Sequence, residues 1–356
     1  MFTLAAFMVR NRRQFLGGAG AIGLAGLAGC ISGFGDESDH AVQIGTVYAT
    51  GGLGDDSFND MAKRGLEDAQ DDFDIAITET EPSSESEFES AQRTFAESGV
   101  NDLINCVGYA QADALAENAP DYPEQDFIII DEVVEEDNVR SYTFGEPEGS
   151  FQVGHLAGLL TEREFAAGDG ETIPNESVVG FVGATETPLI ESFEAGFTAG
   201  VEYANDDAEV VSSYVGEFND TAAGQEAART MYQNQDADIV FHAAGRTGIG
   251  VFQAAQDEGR FAIGVDDDQS LSNEDFADVI LASMVKRVDT AVYSAIEDTV
   301  NDEFEGGVER LGLDDGGVSA VYGDTLGDEI PEEISTQIEE SKQAIIDGEI
   351  DVPHEL

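Results

Sequence analysis

From Val42 onward the chain alternates between two patterns of apolar residues. Short, nearly continuous apolar runs read as strands: "VQIGTVYAT", "DIAITET", "DLINCVG" and "DFIIIDE". Between them, near residues 59–71, 85–97 and 111–117, apolar positions recur at the spacing of a helix face. A second series follows, with strands "SVVGFVGA", "EVVSSYVG", "DIVFHAAG" and "FAIGVDD" and helices near 189–203, 222–233 and 248–257. Strands that are apolar throughout, rather than at alternate positions, belong in sheets covered on both faces. Strand–helix alternation with short connections predicts an α/β architecture with parallel sheets. It occurs twice, four strands each time, with "VRSYTFGEPEGS" between the two series. The pattern therefore predicts two doubly wound lobes joined by extended hinge segments.

In open α/β sheets, ligands bind outside the carboxyl ends of the strands. The stretches that fall there are "ATGGLGDDSFND", "GYAQAD" and Asp131 in the first series, and "GATET", "GEFND", "HAAGRTG" and "VDDDQ" in the second. "GGLGDD" has neither the GxGxxG pattern nor the lysine of a phosphate loop. Ser57, Asn59 and Asp60 suit an ordinary helix start, where Ser and Asp cap the first turn. Phe58, between a Gly/Asp loop and a polar helix start, is poorly placed for core packing and suited to covering a planar ligand. "VDDDQ" fits either a solvated acidic turn or a ligand contact. Asp266 follows an apolar strand directly, where a carboxylate can accept hydrogen bonds from two sugar hydroxyls. "VILASMV" reads as a further strand of the second lobe, ending at Lys286.

Composition changes the picture in one respect. The chain has 356 residues, enough for two ordinary domains, and a normal apolar share of 41%. Asp and Glu number 75 against 15 Lys and Arg, a net charge of −60. The acids are interleaved with apolar residues at strand and helix spacing, which argues against a disordered acidic tail. They fit a fold adapted to high salt, where concentrated ions screen self-repulsion. Only three lysines remain, Lys63, Lys286 and Lys342. A surface position in such a chain is ordinarily Asp or Glu, so a lysine inside an apolar stretch points to ligand binding. A compact ammonium can serve a hydroxyl or base acceptor while Asp266 serves its neighbour. The lack of a basic stripe excludes nucleic acid as a partner. Two cysteines, Cys30 and Cys106, build no disulfide framework, and Cys106 reads as a small core residue. The four histidines lack metal-site spacing, and no metal or cofactor is expected.

The first thirty residues read as an address. Arg12 and Arg13 precede Phe15-Leu16 and a Gly/Ala-rich apolar run too short and too weakly apolar for a good membrane span. The pattern resembles a twin-arginine export signal over residues 1–29. It ends in "LAGC", which resembles a lipobox and would make Cys30 the lipidated first residue of the mature protein. Met8 is an alternative start. Residues 30–40 read as a flexible tether, placing the protein at the outer face of the cytoplasmic membrane.

Several stretches together resemble the basic membrane protein family of substrate-binding lipoproteins, also called the purine nucleoside receptor family. They are "DDSFND", "EGSFQVGHLAG", "VGFVGATETPLIESFEAGFTAGV", "DIVFHAAGRTGIGVFQAA", "IGVDDDQ" and "SMVKRVDTAVYSAI". The resemblance implies a type I periplasmic-binding fold, an α/β fold of two lobes with a three-segment hinge. Residues 41–145 and 288–310 would form lobe one, and 146–287 and 311–356 lobe two. It implies a monomeric binding protein, not an enzyme, that captures a nucleoside for an ABC permease. Carried onto this sequence, Phe58 would stack on the base and Asn59 would hydrogen-bond beside it. Asp131 would face the ligand from lobe one, and Asp266 would take ribose hydroxyls. The backbone at Ala244 and Gly245 would line the floor, and Lys286 would reach in from the hinge. Many members place an aspartate nine residues before the phenylalanine, where this chain has Ala49; Asp55 or Asp56 would have to substitute. None of Phe58, Asp266 and Lys286 is placed to fill a core, so folding should depend little on them. A sensory receptor of the same fold and a nucleoside hydrolase are the competing functions, the latter lacking a visible nucleophile or ligand cluster.

The charge pattern makes a direct prediction. Transfer from molar salt to dilute buffer is expected to unfold the protein, because the excess of negative charge loses its screening. Circular dichroism across a potassium chloride series checks this; equal melting temperatures at both extremes would contradict the high-salt reading.

Overall fold

In the computed structural model, residues 42–356 apart from Asn175 are described. The export signal with Arg12 and Arg13, the anchor Cys30 and the tether lie outside the described residues. The chain opens with β1 (Val42–Val47), α1 (Phe58–Asp72), β2 (Ile75–Thr80), α2 (Phe88–Ser98), β3 (Leu103–Cys106), α3 (Ala112–Asn118), β4 (Asp126–Ile130) and β5 (Val139–Phe144). After α4 (Glu146–Thr161) and a short hairpin of β6 (Ala166–Ala167) and β7 (Gly170–Glu171) comes the second series. It runs through β8 (Val178–Gly183), α5 (Pro188–Ala204), β9 (Glu209–Tyr214), α6 (Thr221–Asn234), β10 (Ile239–Ala243), α7 (Ile249–Glu258), β11 (Phe261–Asp266), α8 (Gln269–Ser272) and β12 (Ile280–Lys286). The remainder is α9 (Val288–Val300), β13 (Gly307–Leu311), β14 (Val318–Tyr322) and α10 (Glu332–Ile346).

Two six-stranded sheets result, in the orders β13-β5-β4-β3-β1-β2 and β14-β12-β11-β10-β8-β9. The first is wholly parallel; in the second only β14 runs antiparallel, against β12. This is the doubly wound pair expected of a type I periplasmic-binding fold. The continuous apolar runs are explained by cover on both faces: every residue of β3, β10, β11 and β12 is buried.

Each sheet has more strands than the sequence pattern predicts. "VRSYTFGEPEGS", expected to be a linker, is in fact β5 followed by the first turn of α4. β13 and β14 also escape the pattern. β13, "GVERL", is an edge strand that is exposed nearly throughout, so it needs no apolar run.

The chain crosses between the sheets after β5, after β12 and between β13 and β14. The crossings are tied to one another. The Gly145 amide donates to Leu311 O and the Arg287 amide to Gly317 O, each at 2.9 Å. Glu148, in the first turn of α4, accepts from Arg310 at 2.5 Å and from the Leu313 amide at 3.2 Å. Among the described residues, no helix is long and apolar enough to cross a membrane.

Helices α4 and α5 pack with their backbones in near contact. Gly154 and Gly158 on one and Gly196 and Gly200 on the other are spaced to share a helix face. A Cβ at Gly154 would lie 2.1 Å from Phe197 O, and one at Gly200 would lie 2.1 Å from Phe151 O. No side chain can yield there, because the obstacle is backbone. Gly154→Ala is therefore expected to force the helices apart and cost about 1–3 kcal/mol. Guanidinium unfolding at constant molar salt measures it; an unchanged midpoint and slope would contradict the close packing.

Candidate functional site

The carboxyl ends of both sheets line one cavity, with about 760 Å³ of empty space including its mouth. All eight ligand residues named from the sequence are on its wall: Asp55, Phe58, Asn59, Asp131, Ala244, Gly245, Asp266 and Lys286. Their positions follow from the fold, since each is at a strand's carboxyl end, in the loop after it, or at the start of the next helix.

The β1–α1 loop turns through Gly52 and Gly54, both in the left-handed region at φ 67° and 76°. Two carboxylates then hold it to α1. Asp60 accepts from the Gly54 and Asp56 amides, each at 2.9 Å. Asp55 Oδ1 accepts from the Ser57 and Asp60 amides at 3.0 and 3.2 Å. Its Oδ2 accepts from the Asn59 amide and Asn59 Nδ2 at 3.0 and 2.9 Å. All four acceptor positions of Asp55 are thus filled by α1's first turn. Asp55 is the cap of that helix and has no lone pair left to read a ligand. Burial raises its carboxyl to about 6, against the pull of the Asn59 amide. Asn59 in turn accepts the Ala49 amide at 3.0 Å, fixing the end of β1, and its amide has one hydrogen beyond the bond to Asp55.

With Asp55 as the cap, the Ser57 hydroxyl makes no capping bond. It donates instead to Asp266 Oδ2 at 2.5 Å, from the first sheet's edge to the second's. Asp131, directly after β4, and Asp266, the last residue of β11, have φ of 71° and 65°. Left-handed backbone is uncommon outside glycine, and Asp is among the residues that tolerate it. The Asp131 amide donates to Tyr142 O at 2.8 Å, which helps to hold that conformation.

Lys286 ends β12 and is only 2% exposed. Its Nζ lies 2.7 Å from Asp131 Oδ2 and 3.6 Å from Glu146 Oε1. It also lies 4.9 Å from the centre of the Phe58 ring. The sequence reading set Lys286 beside Asp266; its hydrogen-bonded partner is Asp131 instead. Burial alone would discharge the ammonium, but Asp131, Glu146 and Asp266 outweigh it and hold the lysine charged. Burial raises the Asp131 carboxyl, opposed by Lys286. Burial likewise carries Glu146 up to about 7, with Lys286 opposing and Asp131 adding to the rise. Asp266 is raised by burial and drawn back by Lys286 and Ser57.

Two consequences follow. Asp131 Oδ1 is buried and has no hydrogen-bond partner among the described residues. And Lys286 is part of the fold as well as of the cavity, which corrects the expectation that folding depends little on it. Its removal leaves Asp131 and Glu146 buried and uncompensated, at a cost of about 3–5 kcal/mol.

The sequence reading missed Glu146, Tyr109, Phe88, Phe193 and Phe218. The four aromatics line the cavity. Phe193 sits in α5 at core spacing, and Phe88 opens α2, so neither has a local mark of function. Glu146 is one acid among 75, inside the stretch read as a linker. Tyr109 and Phe218 were in reach, since they lie in "GYAQAD" and "GEFND" at strand ends.

The family described as "ABC transporter substrate-binding protein PnrA-like" matches residues 42–355. A CD4+ T-cell-stimulating antigen of Listeria innocua is 35% identical over 89% of this chain and 90% of its own length. Basic membrane protein A of Borreliella burgdorferi is 31% identical over 86% of this chain and 87% of its own. Among solved structures, an ABC transporter solute-binding protein from Aeropyrum pernix K1 superimposes with a TM-score of 0.78 at 30% identity, covering 88% of this chain and 94% of that one. The match along the folded chain, the shared sheets and the walled cavity between them lead to one conclusion: the chain belongs to the PnrA-like family of ABC transporter substrate-binding proteins, which bind their substrates and are not enzymes.

Proposed function

We propose that the cavity binds a nucleoside, a purine nucleoside foremost, and that the protein hands it to an ABC importer from the outer face of the cytoplasmic membrane. The observation that carries this reading is the unpartnered Asp131 Oδ1, buried in a cavity walled by aromatic rings. A buried acceptor without a donor is costly unless a ligand supplies one. The ligand must therefore combine hydrogen-bond donors with a flat apolar face. A nucleoside does so: ribose hydroxyls suit Asp131, Asp266 and Lys286, and a base suits Phe58 and Phe218. The base edge falls to the remaining Asn59 amide hydrogen, since Ala49 has no polar group and Asp55 is fully occupied.

The charge balance narrows the class. Asp131, Asp266 and Glu146 surround a single ammonium, so the cavity tends to net negative charge and disfavours a phosphate. Nucleosides are expected to bind more tightly than their monophosphates. Calorimetric titration of adenosine, guanosine, inosine, uridine, ribose and AMP in molar salt tests this. Phe58→Ala should weaken nucleoside binding by about 1–3 kcal/mol through lost stacking. Asp266→Asn, which keeps a residue that tolerates the left-handed backbone, should cost about 1.5–3 kcal/mol through loss of a charged acceptor. Free ribose binding as tightly as any nucleoside would end the nucleoside reading.

Anchoring is a separate part of the proposal and rests on "LAGC" and the arginine pair. Cys30→Ser should move the exported protein from the membrane fraction to the soluble fraction without changing ligand affinity. Retention of the variant in membranes at wild-type levels would refute lipidation at Cys30.

A further inference from the structure

Three contacts join the "VDDDQ" turn of the second sheet to the β1–α1 region of the first. Ser57 Oγ donates to Asp266 Oδ2 at 2.5 Å. Gln269 Nε2 donates to Asp56 O at 2.9 Å. Arg64 pairs with Asp267, Nη1 to Oδ1 at 2.9 Å. They differ in how they respond to salt. The Arg64 side chain is 46% exposed, and at 1 M salt the screening length falls to about 3 Å, so this two-bond pair is weakened there. Ser57 and Asp266 are both buried, and a hydrogen bond to a shielded carboxylate keeps its strength. Only the Ser57 contact touches a residue of the cavity wall: Asp266 lines the cavity, whereas Gln269 and Asp267 do not.

We propose that Ser57 is a positioning residue for ligand capture: its hydroxyl fixes Asp266 across the cleft, so that orienting the ligand's acceptor and closing the two sheets are one event. Ser57 stands where a helix-capping serine is expected, but Asp55 has taken that role with all four of its acceptor positions. The hydroxyl is thereby free to leave its own helix. It occupies one oxygen of Asp266 and so directs the other toward the ligand. The contact joins elements of different sheets, so it forms only when they meet and is lost when they part. A ligand held by Asp266 then dissociates only after the Ser57 bond breaks.

The inference rests on the proposed nucleoside reading, and its test has one arm that does not. In 2 M potassium chloride, with the nucleoside that the wild-type protein binds most tightly of adenosine, guanosine, inosine and uridine, Ser57→Ala is expected to raise the dissociation rate about tenfold or more. The association rate should stay unchanged. The melting temperature should fall more with nucleoside than without it, because the stabilisation by nucleoside shrinks. An unchanged dissociation rate overturns the proposal, and so does an equal fall in melting temperature with and without nucleoside, the mark of a helix cap. The second arm places spin labels on cysteines substituted at the exposed Val100 and Glu226, one beside each sheet. Ser57→Ala should shift the distance distribution toward longer separations in the absence of any nucleoside. An identical distribution overturns the proposal even if no nucleoside binds, whereas failure of all four nucleosides with a shifted distribution overturns only the nucleoside reading.

Discussion

One buried ammonium holds the molecule's centre together. Lys286 ends the strand from which the chain crosses back to the first sheet. It faces Asp131 at the end of β4 and Glu146 at the start of α4. The three groups come from the first sheet, the first crossing and the second crossing. Taking several charges out of water is costly, and each is tolerable only because the others are present. Lys286 is thus a joint of the hinge and a wall of the cavity at once. The same geometry leaves one buried oxygen of Asp131 without a donor among the described residues, in a residue that lines the cavity.

Around that joint, the strand ends are shaped by backbone that few residues adopt. Asp131 and Asp266 both leave their strands through left-handed conformations, which turn the two carboxylates to the cavity rather than along the sheet. Such conformations persist where the surroundings determine them, and here a buried ion pair and a cross-cleft hydroxyl do so. The helices behind the second sheet contribute rigidity of another kind. Backbone contact between α4 and α5, possible only through paired glycines, fixes the first turn of α4, from which Glu146 and Glu148 reach two of the crossings.

The extreme acidity of the chain and its site chemistry are distinct matters. Most carboxylates are at the surface, where salt screens them and where they say nothing about the ligand. A few are buried and act singly. Asp55 closes a helix, Asp131 pairs with Lys286, and Asp266 receives Ser57. Contacts shielded in this way keep their electrostatic strength in molar salt, where exposed pairs are weakened.

Much of this was legible before any coordinates. Continuous apolar runs alternating with helical periodicity specify covered parallel sheets, because only a strand buried on both faces can dispense with polar positions. The rule that ligands sit at strand ends then marks Phe58, Asp131, Asp266 and the stretch that holds Ala244 and Gly245, the rarity of lysine marks Lys286, and the structure sets all of them on one cavity. A sequence does not display partners. That Lys286 meets Asp131 and Glu146, that Asp55 is occupied on four sides, and that Ser57 leaves its helix for the opposite sheet depend on distances between segments up to 209 residues apart. Three strands of the two large sheets escaped for a related reason. β5 is hidden beside a glycine-proline segment, β13 is an exposed edge, and β14 is only partly buried and runs antiparallel. Local pattern reports how a residue is solvated by its own neighbourhood. Which carboxylate it meets across a cleft is decided only when the two sheets come together.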